Sequence, residues 1–188
     1  MRIGLTEYVA FLRGINVGGN KKIKMDALRS AFESLGFQRV RTVLASGNVL
    51  FDAAEPDPLA ITRQIQEKLS SAFGLDVGIM VRTRRQIGDL VDADPFSAVK
   101  VTPDTRLYVT FFADRLRGKL KTRHEPHQEA LKMLGVSSGE VCSAIELSPG
   151  AGTPELMKFI DKEFGRENTT RNWNTVLKIH DKMAGPIG

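Results

Sequence analysis

The chain states nearly the same thing twice, and that repetition constrains its fold more than any other property. Tyr8-Val9-Ala10-Phe11-Leu12 returns as Tyr108-Val109-Thr110-Phe111-Phe112, and each copy is followed by the same order of hydrophobic periods, glycine stops and proline starts. Self-similarity at a long period marks a duplicated fold unit. It also directs the search for function to the places where the halves disagree.

In the first half, Met25, Leu28, Phe32 and Leu35 recur at helical spacing, and Gly36 follows as a left-handed stop. Val40–Ser46 and Asn48–Phe51 predict a hairpin turning at Ser46-Gly47. Asp57-Pro58 predicts a helix start, a capping carboxylate ahead of a residue whose φ is already fixed, and Ile61, Ile65, Leu69, Ala72 and Phe73 carry that helix to Gly74. A strand over Val77–Val81 and a short helix through Asp92, opened by Thr83 and Gln86 at capping-box spacing, complete the half.

The second half predicts a strand over Leu107–Ala113, a helix over residues 126–134 ending at Gly135, and extended segments over 136–147. A helix from Thr153-Pro154 to Gly165 follows, then a polar strand near Asn168 and a last helix begun by Thr170-Arg171, in the place of Thr83-Arg84. Each half then reads βαββαβ plus one trailing helix. The expected class is α+β, a duplicated ferredoxin-like arrangement of antiparallel sheets with helices packed on one face. Pro95 and Pro103 mark the boundary, giving a first unit over residues 1–94 and a second over 104–188.

At 188 residues the chain can bury roughly 70% of its unfolded surface, enough for two small units without staples. Its apolar stretches fall short of the roughly 20 residues of a membrane span, so a soluble protein is expected. The start carries one early Arg2, but its apolar run is short and broken by Thr6 and Glu7, unlike a secretory leader. The lone Cys142 cannot form an internal disulfide, and its strand-like setting reads as a small buried residue. A reducing, cytoplasmic setting fits.

The net charge of +5 is unevenly spread. Arg13, Lys21, Lys22 and Lys24 form one acid-free basic stretch, and Arg115, Arg117, Lys119, Lys121 and Arg123 another. Without these nine, 18 basic residues face 22 acidic ones, so the positive excess sits just after the copied strand of each half. Such stretches suit an anionic partner, or are ordinary solvated loops.

The halves part company at two places. Gly14, Gly18 and Gly19 punctuate Arg13–Lys24, whereas residues 114–124 hold only Gly118. Glycines let a backbone turn its amides toward an anion, and the lysines add charge. The segment is not a P-loop, because Asn20 stands where the lysine belongs and no Ser or Thr follows Lys21; nor does it contain a dinucleotide fingerprint. A tight structural turn is the competing reading. The second departure is the last helix, with Trp173, Val176, Leu177 and His180 as its apolar stripe and Arg171, Asn174, Thr175 and Lys178 on a separate face. Arg171 with Asn172 and Asn174 can hold a polar ligand, or cap the helix and bond neighbouring backbone.

RGINVGGNKKIKM, the ASGNVLF hairpin and TTRNWNTVLKI together resemble the signatures of the domain of unknown function 1697 family, found in bacterial proteins of about this length. The resemblance runs over essentially the whole chain. It implies an α+β fold with a duplicated ferredoxin-like arrangement and no established activity. The family pattern falls here on Arg13, Gly14, Asn16, Gly18, Gly19, Ser46, Gly47, Asn48, Arg171, Asn172, Trp173 and Asn174. One departure is Val43-Leu44-Ala45, where relatives are expected to carry Thr-Tyr-Ile-Gln-like residues, which leaves any role of that Tyr or Gln open.

Three functions remain. The first is a non-catalytic anion-binding module in which Arg13, Gly14, Asn16, Gly18, Gly19, Lys21, Lys24, Ser46, Asn48, Arg171, Asn172 and Asn174 meet around a phosphorylated small molecule, a nucleotide or a nucleic-acid phosphate. The second is an enzyme on such a substrate, although no catalytic or metal-binding spacing is present and neither metal nor cofactor is expected. The third is purely structural, with the polar motifs joining the two halves through buried hydrogen bonds. RNA recognition through Phe11 and Phe51 is a weak variant, since the aromatic consensus of the third strand is absent.

Overall fold

The structure, a computed structural model, describes residues 4–16, 22–113, 131–137, 139–149 and 152–184. Within them lie two four-stranded antiparallel sheets and five helices, an α+β fold. The chain divides into two compact units. One takes the residues up to Asp89 and those from Lys178 onward, and the other is Leu90–Leu177. Among the described residues no helix is long and apolar enough to cross a membrane.

The first unit begins with β1 (Thr6–Leu12), α1 (Met25–Glu33), β2 (Gln38–Thr42), β3 (Asn48–Ala53), α2 (Pro58–Phe73), β4 (Ile79–Thr83) and most of α3 (Arg84–Asp92). Its sheet runs β2-β3-β1-β4. The apolar stripes read from the sequence are the buried ones. Leu28 and Phe32 of α1 and Ile61, Ile65 and Leu69 of α2 pack on Tyr8, Ala10, Leu12, Val49, Phe51 and Val81 of the sheet. Phe51 stacks on Phe37 and Tyr8, at centroid distances of 4.6 and 5.7 Å, and meets Phe32 edge-on at 5.4 Å. The helix signals act as expected. Asp57 accepts from the amides of Leu59 and Ala60, and Thr83 and Gln86 bond each other's backbone N–H at the start of α3.

The second unit holds β5 (Thr105–Phe112), β6 (Leu131–Val136), β7 (Glu140–Glu146), α4 (Thr153–Phe164) and β8 (Asn168–Asn172), with sheet order β6-β7-β5-β8. Leu156, Ile160 and Phe164 of α4 cover Phe112, Leu131, Val141 and Ile145. The last helix, α5 (Trp173–Ala184), crosses the division between the units. Trp173 is a buried residue, with its ring 5.1 Å from that of Phe96.

Several expectations need correction. Residues 131–134 are strand, not the end of a helix; the remainder of that segment, 126–130, lies outside the described residues. Leu131 and Met133 face the core while Lys132 and Leu134 are exposed, a period of two that pairing with Ser143, Ala144 and Ile145 imposes on a stretch whose leucines are also three apart. Gly135, read as a helix stop, sits at a register shift in β6. Arg171 does not begin the last helix, because the ladder between β5 and β8 continues to Tyr108 and Asn172. Its counterpart by register is Arg82, across from Val9 as Arg171 is from Val109, rather than Arg84. The hairpin strands end earlier and later than expected, at Thr42 and Ala53, and β4 begins at Ile79.

The reverse face of each sheet is buried as well. Val9, Phe11, Leu50 and Met80 lie on that of the first, and Val109, Phe111, Cys142 and Ala144 on that of the second. Phe11 and Phe51 are thus both enclosed, on opposite faces, and neither is a platform for a base.

Burial pushes the Cys142 thiol up to about 12, with the Glu140 carboxylate adding a smaller push. It should resist a disulfide reagent near pH 8 in the folded protein and react fully in denaturant, as a labelling time course would read. A raised folded pKa holds the proton that the unfolded chain releases near 9. Stability contributed here is therefore complete below that pH and lost above it, by at most about 1.4 kcal/mol per pH unit.

Candidate functional site

The loop after β1 and the turn between β2 and β3 meet at one end of the first sheet. Antiparallel pairing makes this so: β1 ends at Leu12 where β3 begins, with Phe11 across from Asn48. The ladder runs on into the turn through Leu12 N–H to the Gly47 carbonyl at 2.8 Å, and on the other side Arg13 N–H reaches the Gly78 carbonyl at 2.8 Å.

Asn16 fastens the loop. Its side-chain amide imitates a strand partner, donating to the Ile23 carbonyl at 3.1 Å while its oxygen accepts from Ile23 N–H at 2.9 Å. The same amide donates to the Ala45 carbonyl at 3.0 Å, so one side chain ties both ends of the loop to the turn. The geometry needs φ of 56° at Asn16, a left-handed value that Asn tolerates better than most residues. Beneath it, buried Ile15 lies so close to Gly47 that a Cβ there would stand 2.6 Å from Ile15 Cγ1. The turn is held from within by Asn48, which is fully buried and donates to the Val43 carbonyl at 2.8 Å and to Ser46 Oγ at 3.1 Å.

Of the residues singled out from the sequence, Asn16, Ser46 and Asn48 therefore come together with the backbone of Arg13, but with their amides and hydroxyl already bonded to the protein. Gly14 is exposed and left-handed, at φ 67°, and Lys22 and Lys24 are exposed where the loop returns to α1. Gly18, Gly19 and Lys21 lie outside the described residues, as does the basic stretch of residues 115–123. Leu44, also exposed, occupies a left-handed φ of 60° at the turn, a strained choice for a bulky side chain.

Arg171, Asn172 and Asn174 are found in the second unit. Arg171 is buried on the sheet, and its Nη1 donates to Thr169 Oγ1 at 2.8 Å and to the Thr170 carbonyl at 3.0 Å. Burial alone pulls its guanidinium down to about 10, leaving it cationic at neutral pH. Asn172 caps α5, accepting from Asn174 N–H at 2.9 Å, and the Asn174 side chain is exposed.

One charged cluster went unremarked in the sequence: Glu7, Arg39, Arg41, Asp52 and Arg84, at the start of β1. Arg41 Nη2 meets Glu7 Oε1 at 2.6 Å, Arg84 Nη1 lies 3.7 Å from Glu7 Oε2, and Arg39 pairs with Asp52. An aspartate inside the apolar run Val49-Leu50-Phe51-Asp52-Ala53 was the available signal, because a carboxylate in a buried strand demands a partner. Among the described residues, no three His, Cys, Asp or Glu side chains gather as a metal site would require.

A family model described as a protein of unknown function, DUF1697, matches residues 5–141. No curated protein matches the chain. Among solved structures, the chain is similar to the conserved bacterial protein SP0830 from Streptococcus pneumoniae, at 19% identity and a TM-score of 0.71, over 95% of this chain and 98% of that one. At that identity the likeness extends to the fold.

Proposed function

The chain belongs to the DUF1697 family of proteins of unknown function, and for it we propose a non-catalytic anion-binding role, centred on the Gly-rich loop after β1. The ligand is a phosphorylated small molecule, a nucleotide or a nucleic-acid phosphate, held by the loop with Arg13, Gly14, Lys21 and Lys24. The observation that carries this reading is the closure of the loop at its neck by Asn16, whose three bonds to Ile23 and Ala45 fix both ends of a segment containing Gly18 and Gly19. With residues 16 and 23 already joined, part of the ordering cost is met within the protein, before any ligand arrives. Exposed Lys22 and Lys24 supply positive charge beside it.

For Ser46, Asn48, Arg171 and Asn172 a structural role is the better reading, favoured by the hydrogen bonds each already makes. A doubled ferredoxin-like unit is part of the proposal. It is supported by the like strand orders of the two sheets and by Arg82 and Arg171 at like registers. A soluble protein of the cytoplasm accords with it.

A thermal-shift panel of nucleotides, sugar phosphates and short nucleic acids tests the loop. A ligand at 100 times its dissociation constant should stabilise the wild type by about 2.7 kcal/mol, a shift of several degrees. Lys24→Ala should melt near the wild type without ligand and lose most of that response, and Arg13→Ala should lose it too. A nucleic-acid ligand would show steep salt dependence. No response to any anion, together with early melting of Arg13→Ala, would leave the loop a structural element.

A further inference from the structure

The cluster at the start of β1 is separate from the Gly-rich loop, since Glu7 and Leu12 are about 17 Å apart at the usual strand rise. On the reverse face of the first sheet Glu7 stands directly across from Asp52, where like charges oppose pairing. Arginines offset that repulsion unevenly. Arg39 turns both Nε and Nη2 to a single oxygen, Oδ2 of Asp52, and Arg41 gives Glu7 only its Nη2. Two buried atoms are left with no hydrogen-bond partner: Oδ1 of Asp52, on a side chain 2% exposed, and Nε of Arg41.

One is an acceptor and the other a donor, and they belong to residues a diagonal apart on one face, with Arg41 across from Leu50 and Gln38 across from Asp52. Around them the side chains of Arg39, Arg41 and Arg84 keep 38%, 34% and 55% of their surface in solvent. At the corresponding register of the second sheet, Leu107 faces Ala144 and Trp173 follows β8. A sheet of this order does not need charge there.

We propose that Arg39, Arg41, Arg84 and Asp52 form a binding site for hydrogen phosphate. The guanidinium groups donate to the phosphate oxygens, with Arg41 Nε among the donors, and Asp52 Oδ1 accepts a hydrogen bond from the phosphate's own hydroxyl. No covalent bond forms or breaks. Glu7 is a positioning residue, holding Arg41 and Arg84 in place. An ionised carboxylate repels an oxyanion that has no proton and bonds one that has, so the site selects phosphate over sulfate, which is fully ionised near neutral pH.

Isothermal titration of the full chain with inorganic phosphate and with sulfate, at equal ionic strength near neutral pH, tests this. Phosphate should bind, and sulfate at least about tenfold more weakly. Arg84→Met, at an exposed position, should weaken phosphate about tenfold. Asp52→Asn should close the gap between the two anions, because an amide also donates. Arg63→Ala, at an exposed position of α2 on the opposite face of the sheet, should leave both affinities unchanged, which shows that the loss at Arg84 is local. Equal affinity for the two anions, uptake of neither, or an unaltered Arg84→Met would overturn the proposal, and the last decides it even if Asp52→Asn does not fold.

Discussion

Replacing Gly47 with alanine should destabilise the first unit by roughly 2–5 kcal/mol, the sum of two terms. The left-handed backbone, at φ 76°, costs an alanine about 1–2 kcal/mol. The new methyl then meets Ile15 Cγ1 at 2.6 Å, Ile15 Cδ1 at 2.7 Å and Leu12 Cβ at 3.1 Å, an overpacking of about 1–3 kcal/mol in a core that cannot give way. Gly74 isolates the first term: its φ is 64° and a Cβ there has nothing within 4 Å, so Gly74→Ala should cost only the backbone part. Ile15→Ala removes both clashing carbons. In a double-mutant cycle it should therefore couple favourably with Gly47→Ala by about 1–2 kcal/mol, although alone it costs about 2–5 kcal/mol. Urea denaturation of the four variants reads these differences. Equal losses at Gly47 and Gly74 would show that the loop and turn are not packed as described.

The same end of the sheet shows why part of the molecule was legible in sequence. Gly47, the Asp57-Pro58 start and the Thr83–Gln86 box are local signals, in which the residue and the geometry it serves lie within a few positions of each other. Their placement needed no knowledge of the fold. Asn16 was legible only as a polar residue in a glycine-rich loop, because its partners Ile23 and Ala45 are joined through tertiary structure. Residues 131–134 are ambiguous in sequence for the opposite reason. Leucines three apart satisfy a helix, Leu131 and Met133 satisfy a strand, and the choice is made by β7, a separate stretch of chain. Thr170-Arg171 reads as a helix start because it resembles Thr83-Arg84 in local sequence, whereas the register that matches Arg171 to Arg82 is set by pairing with a distant strand. The charged residues of the reverse face have no motif spacing in the sequence, since Glu7, Arg41, Asp52 and Arg84 are brought together only by register.

That register sets the second large effect. Arg39→Met should cost about 2–3 kcal/mol, far more than removal of a surface arginine, which is worth less than about 1 kcal/mol. The difference arises from what stays behind. Asp52 is almost wholly buried, with one oxygen already lacking a partner, and Arg39 provides the bonds to the other. Removing one member of such a pair strands a charge, at about 3–5 kcal/mol where both are buried; Arg39 is partly exposed, so water reaching the vacated space reduces the loss. If stranding is the cause, removing the carboxylate as well must restore stability. Asp52→Leu joins Val9 and Leu50 on an apolar reverse face, and the double variant Arg39→Met/Asp52→Leu should recover most of what Arg39→Met loses. Arg41→Met should cost less than Arg39→Met, because Glu7 keeps Arg84 at 3.7 Å. Chemical denaturation of the three variants and the wild type orders them. A double variant less stable than Arg39→Met would mean that Asp52 is bonded elsewhere, and it would remove the unpartnered carboxylate on which selection of phosphate depends.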